Sequence, residues 1–135
     1  MNREILFRAK HIHAIPGNEH LNGTWMHGYL SDENYIYEKS LEGEFLIDED
    51  TICQYTGLTN ELGEEFWEND IVQCGYYYGV IKYEDGAFII KWNTKGSEYL
   101  RHDLAYWAYL GKARVVGNIF DNPELLEEEN VHGTD

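Results

Sequence analysis

The sequence predicts a mainly β fold with minor α content, and three observations carry that prediction. Aromatic residues make up 15% of the chain and tyrosine is the commonest of them, and flat or β-branched side chains pack well on a pleated surface. Apolar and polar residues alternate in short runs, the period-2 signature of strands with one buried face. Turn formers punctuate those runs, most sharply at Asp85-Gly86, which stands between two apolar stretches and is a strong local hairpin signal.

The elements follow in chain order. Ile5, Phe7 and Ala9 alternate with Leu6, Arg8 and Lys10, which predicts an opening strand. Ile15-Pro16-Gly17-Asn18 is dense in turn formers, and Asn22-Gly23 leads into a second strand over Thr24 to Leu30. Asp32-Glu33-Asn34 turns the chain again, and short strands are expected at Tyr35-Ile36-Tyr37 and Glu44-Phe45-Leu46-Ile47, on either side of Gly43. The stretch from Thr51 to Leu58 is followed by the polar run Thr59 to Glu65, where Gly63 and Asn60 suggest a compact loop.

From Tyr76 to Trp92 the pattern is a β-meander, with Gly79 to Tyr83 and Ala87 to Trp92 flanking the Glu84-Asp85-Gly86 turn. Asp103 to Leu110 is apolar nearly all round and fits a short buried helix and a strand equally well. Arg114 to Phe120 reads as a closing strand. Pro123, Glu124, Glu127 and Glu128 then place proline and acids where a helix N-terminus favours them, predicting a short C-terminal helical turn. With 135 residues and 43% hydrophobic residues the chain can bury a core as one domain, with the acidic tail 124–135 partly flexible.

Charge and cysteines narrow the function classes. A net charge of −15 repels polyanions, so direct nucleic-acid binding is disfavoured. Glu38 to Asp70 holds eleven acids against the one base Lys39, whereas Ile71 to Phe120 holds six Lys and Arg against four acids. Cys53 and Cys74 form no CxxC pair, which fits free thiols in a reducing cytoplasm better than a zinc site or a disulfide scaffold. The N-terminus lacks the apolar core of a secretory signal, and no stretch is apolar enough to span a bilayer.

Three separated segments resemble the YopX family of phage and prophage proteins. They are Arg3-Glu4-Ile5-Leu6-Phe7-Arg8-Ala9, the central block, and the closing run from Val116 to Leu126. The central block reads Gln54-Tyr55-Thr56-Gly57-Leu58 and then Gly63 to Val72, in the order and spacing of the family's QYTGL and NGKEIYEGDIV pattern. The family's Glu-Gly-Asp is Glu68-Asn69-Asp70 here, and its Ile-Tyr is Phe66-Trp67. Asn tolerates left-handed backbone angles better than most residues, so the turn survives the exchange. The resemblance implies a phage or prophage source, one YopX-like domain over residues 1–135, and a mainly β fold with a small barrel-like portion. It implies no established activity.

The central block supports two readings. In the structural one, Gly57 and Gly63 permit tight loops while Glu68 and Asp70 bond loop amides. In the functional one, Tyr55, Thr56, Trp67, Glu68 and Asp70 form a binding surface, because Trp and Tyr bury large area at low entropy cost. His11 and His13 would share one face of a strand, yet with no Cys pair or carboxylate motif beside them they are expected to be exposed polar residues rather than metal ligands. His20 and His27 extend the group of histidines that invites the metal hypothesis. Glu64, Glu65, Glu68 and Asp70 read as a solvated acidic face before they read as catalytic carboxylates. Along Tyr76-Tyr77-Tyr78 the alternation of a strand favours one ring in the core and its neighbours outside.

The expectation for function is a non-enzymatic phage accessory protein of the host cytoplasm. It would bind a host or phage protein through its acidic and aromatic surface, without metal or cofactor and in an oligomeric state that sequence leaves open. One alternative is an acidic DNA mimic, in which carboxylates between Glu38 and Asp70, with Glu127, Glu128 and Glu129, imitate phosphates. Another is a metal-dependent hydrolase built on the histidines and the central carboxylates.

Overall fold

Alternation along the opening segment puts Ala9 in the core and Arg8 and Lys10 on the opposite face, forming strand β1 (Phe7–Lys10). The computed structural model describes residues 5–12, 22–93 and 102–127, and the chain divides into two compact units, residues 1–55 and 56–135. In the first unit β1 is followed by β2 (Trp25–Asp32), β3 (Tyr35–Glu38), β4 (Gly43–Leu46) and the first residues of β5 (Cys53–Thr59). These lie in the order β4-β3-β2-β1-β5, every described pair antiparallel. Ala9, Met26, Ile36 and Ile47 form the core, with Phe7, Phe45 and Ile52 packed against them.

Strand β2 changes partner along its length. Its first half pairs with β1, from Lys10↔Trp25 to Phe7↔Gly28, and its second half pairs with β3, beginning at Tyr29↔Tyr37. Gly28 sits at the changeover, where a β-carbon would fall on the Tyr37 carbonyl oxygen. The bare backbone is what lets β3 approach there. Beyond β3 the chain leaves the sheet in a 3₁₀ turn over Lys39–Leu41.

In the second unit β5 continues beside β6 (Glu65–Trp67). A separate antiparallel sheet has the order β10-β7-β8-β9 and comprises β7 (Asp70–Cys74), β8 (Tyr77–Glu84), β9 (Ala87–Trp92) and β10 (Arg114–Asn118). The Asp85-Gly86 loop joins β8 to β9 with φ values of 52° and 82° at its two central residues, the positive pair that a type I′ hairpin requires. Gly79 faces Trp92 across this hairpin, and a β-carbon there would collide with Ile90 and Trp92. The core joins Phe66, Val72, Ile81, Ile90, Trp92, Leu104 and Ala113.

The predicted meander is therefore present, but as an open sheet rather than a closed barrel. Four strands are too few to curl round and meet. Along β9 the Ile90 N–H donates to the His102 carbonyl at 2.7 Å. Residues 103–110, undecided between helix and strand in the sequence, form helix α1 (Leu104–Leu110). Leu104 is buried, Trp107 packs edge-on against Trp92 at 5.0 Å, and Gly111 at φ 70° ends the helix. Residues 124–127 form the expected C-terminal helical turn. The predicted turn at residues 15–18 and the tail from residue 128 lie outside the described residues.

Candidate functional site

The central block folds as a structural turn. Asn69 takes φ 71°, a left-handed angle that Gly or Asn best supplies. Its N–H donates to the Ile81 carbonyl at 2.8 Å, its carbonyl accepts from Ile119 N–H at 3.0 Å, and its Oδ1 accepts from Lys82 Nζ at 2.7 Å. Asp70 is buried, and its Oδ2 accepts the Trp67 N–H at 2.9 Å. Thr56 donates its hydroxyl to the Phe66 carbonyl at 2.7 Å.

Of the five residues expected at a binding surface, Thr56, Asp70 and Trp67 are at most 5% exposed. Buried side chains offer no contact area to a partner, so these three stabilise the turn instead. Glu68 is half-buried, and Tyr55, the last residue of the first unit, is half-buried with its N–H donating to the Leu6 carbonyl at 2.8 Å. Trp failed as an anchor signal because the core and an interface favour the same large aromatic side chains.

The carboxylates around the block are equally engaged. Arg114 Nε lies 2.9 Å from Glu64 Oε1 and holds that carboxyl below its usual value, against the effect of burial and with help from Asn60 Nδ2 at 2.6 Å. Asn60 in turn accepts the Leu62 and Glu64 N–H groups, each at 3.0 Å. The loop from Asn60 to Glu64 is thereby pinned along β10.

The surface that the first unit does expose is tyrosine-rich. Tyr29 and Tyr37 are direct cross-strand partners, and Tyr35 stands two residues from Tyr37, so all three share one face of the β2-β3-β4 hairpins. They are 44%, 36% and 40% exposed, while Ile36 between them is fully buried on the other face. Glu44 lies opposite Tyr37 and Leu46 opposite Tyr35, extending the row. Residues 32–50 carry eight acids and only Lys39 as a base. The Tyr-Ile-Tyr alternation was readable as a strand, but only the pairing shows which face meets solvent.

Beside this row a pocket of about 380 Å³ opens where β2 changes partner, lined by Leu6, His27, Gly28, Tyr29, Glu38, Lys39 and Ser40. Glu38 Oε1 accepts the His27 N–H at 2.9 Å and Oε2 accepts the Ser40 hydroxyl at 3.1 Å. After Tyr29↔Tyr37 the backbone partner of His27 would be Lys39, which has turned away into the 3₁₀ turn. The Glu38 carboxylate takes that ladder position.

His11 is buried rather than exposed. Its Nδ1 donates to the Leu46 carbonyl at 2.7 Å and its ring packs edge-on against Phe45, so the carbonyl fixes its tautomer. His13 and His20 lie outside the described residues, and among the described residues no three His, Cys, Asp or Glu side chains converge on a metal position. Tyr76 stands 91% exposed at a hairpin tip, and Tyr77 leans edge-on against Trp92 at 6.1 Å. Tyr78 is only half-buried, so none of the three rings enters the core.

Sheet-rich units and a pinned central turn define a mainly β protein. The YopX protein family model matches residues 13–127, and the chain belongs to that family. The crystal structure of protein EF1440 from Enterococcus faecalis is similar, with a TM-score of 0.51 and 24% identity over 93% of this chain and 99% of that one. That likeness is one of fold. No curated protein matches. Among the described residues no helix is long and apolar enough to cross a membrane.

Proposed function

We propose that this YopX protein is a non-enzymatic accessory protein of a phage or prophage, acting in the host cytoplasm by binding a basic protein through the tyrosine face of its first unit. The observation that carries the reading is the row Tyr29, Tyr37, Tyr35, exposed on one sheet face beside Glu44. Tyrosine contributes large contact area with little rotamer entropy to lose, and surrounding acids select a positively charged partner and speed its approach.

The experiment is affinity capture from host lysate at low and high salt, with the wild type beside a Tyr35→Ala, Tyr37→Ala double variant. Supporting the reading requires a basic protein held by the wild type, retained in part at high salt, and lost from the folded double variant. Equal capture by both would refute it. Capture that vanishes wholly with salt, is indifferent to the tyrosines and competes with duplex DNA would instead point to the acidic DNA mimic.

A further inference from the structure

We propose that the pocket at the β2 changeover receives an arginine side chain of the protein partner. This rests on the reading of the tyrosine face as the docking surface, because Tyr29 belongs to both the row and the pocket wall. Three features select the guest. The Glu38 carboxylate is already oriented by the His27 N–H and the Ser40 hydroxyl, one donor on each oxygen. A carboxylate oxygen has two acceptor sites, so each keeps one for an incoming donor, and a guanidinium is the cation whose paired N–H groups can use both oxygens at once.

The second feature is the wall. Leu6 offers apolar surface for the methylene stem, and Tyr29 supplies an aromatic residue of the kind on which a guanidinium stacks. Gly28 contributes bare backbone, and its lack of a side chain is enforced by the Tyr37 carbonyl. The third feature is the field: eight acids over residues 32–50 against one base favour a cation over a neutral or anionic guest. At about 380 Å³ the pocket lies at the small end of ligand-sized cavities, which run from about 300 to 1,000 Å³. Lys39 lines the same pocket on an exposed, flexible stem and opposes a cation, so binding requires its ammonium to swing outward.

The test titrates N-acetyl-arginine methylamide into the full chain and follows backbone amides by NMR, with the citrulline analogue as neutral isostere and the lysine analogue as point charge. The expected result is saturable, weak binding that shifts the amides of His27, Gly28, Tyr29 and Ser40, with citrulline inert and lysine weaker than arginine. Glu38→Gln, which keeps an oxygen to accept the His27 N–H, should weaken the arginine analogue by about tenfold or more, the scale of one hydrogen bond to a charged group. Lys39→Ala should tighten it. Equal shifts from citrulline, shifts confined to other residues, or unchanged affinity in Glu38→Gln would overturn the proposal. Partner capture that persists through Glu38→Gln overturns this inference and leaves the tyrosine-face reading standing, whereas loss of capture to the tyrosine variant alone separates the two in the same way.

Discussion

The buried Asp70 carboxylate accepts the Trp67 backbone N–H at 2.9 Å and so closes the turn between β6 and β7. This bond makes the most recognisable motif of the chain a device of folding. Asp70→Ala leaves the Trp67 N–H without that acceptor and is expected to cost about 1–3 kcal/mol, the usual penalty for stranding a buried polar group. Asp70→Asn, which retains an acceptor oxygen, should cost less. Urea unfolding of both variants checks this, and a neutral Asp70→Ala would contradict it.

Asn69 at φ 71° makes a second, sharper prediction. Asn69→Ala keeps a β-carbon in left-handed backbone but removes the polar side chain that offsets its cost, and should destabilise by about 1–2 kcal/mol. Asn69→Gly relieves the angle but loses the Lys82 contact, so it should lie within about 1 kcal/mol of wild type. Equal losses in the two variants in thermal unfolding would mean that the side-chain bond, not the angle, holds the turn.

Gly28 and the Tyr37 carbonyl predict an intolerant position. Gly28→Ala is expected to cost about 3 kcal/mol, at the upper end of overpacking penalties, and to broaden the NMR signals of β2 and β3. Surface changes such as Tyr76→Ala should stay within about 0.5 kcal/mol. An unaltered Gly28→Ala spectrum would remove the account of how β2 changes partner.

Glu64 sets a pH dependence. Its folded-state value lies below the ordinary 4.5, held there first by Arg114. A depressed carboxyl binds its proton more weakly when folded, so its stabilisation is complete above the unfolded value and is lost as pH falls through the folded one. The pair is partly exposed, which keeps the effect under about 1 kcal/mol. Glu64→Gln should therefore flatten part of the acid limb of stability against pH, read by urea unfolding from neutral pH downward, and an unchanged limb would contradict the assignment.

The sequence made some elements legible and left others hidden for physical reasons. The β8–β9 hairpin was readable because Asp85-Gly86 fixes its turn locally, before any tertiary contact. Helix α1 was not, since its residues are apolar nearly all round and only packing of Leu104 and Trp107 into the core decides the matter. Trp67 and Thr56 suggested a surface that burial denies them, and His11 suggested an exposed strand residue where Phe45 covers its ring. The tyrosine row and the Glu38 pocket were hidden because both depend on strand pairing: one on Tyr29↔Tyr37, the other on the point where β2 leaves β1.

The most direct test is hydrogen–deuterium exchange on the protein alone and bound to its captured partner. The account predicts new protection over residues 27–46, spanning Tyr29, Tyr35, Tyr37 and Glu44, with residues 63–72 unchanged because that turn is already internally bonded. Protection centred on residues 54–72, with none across the tyrosine face, would contradict it and return the binding surface to the central block.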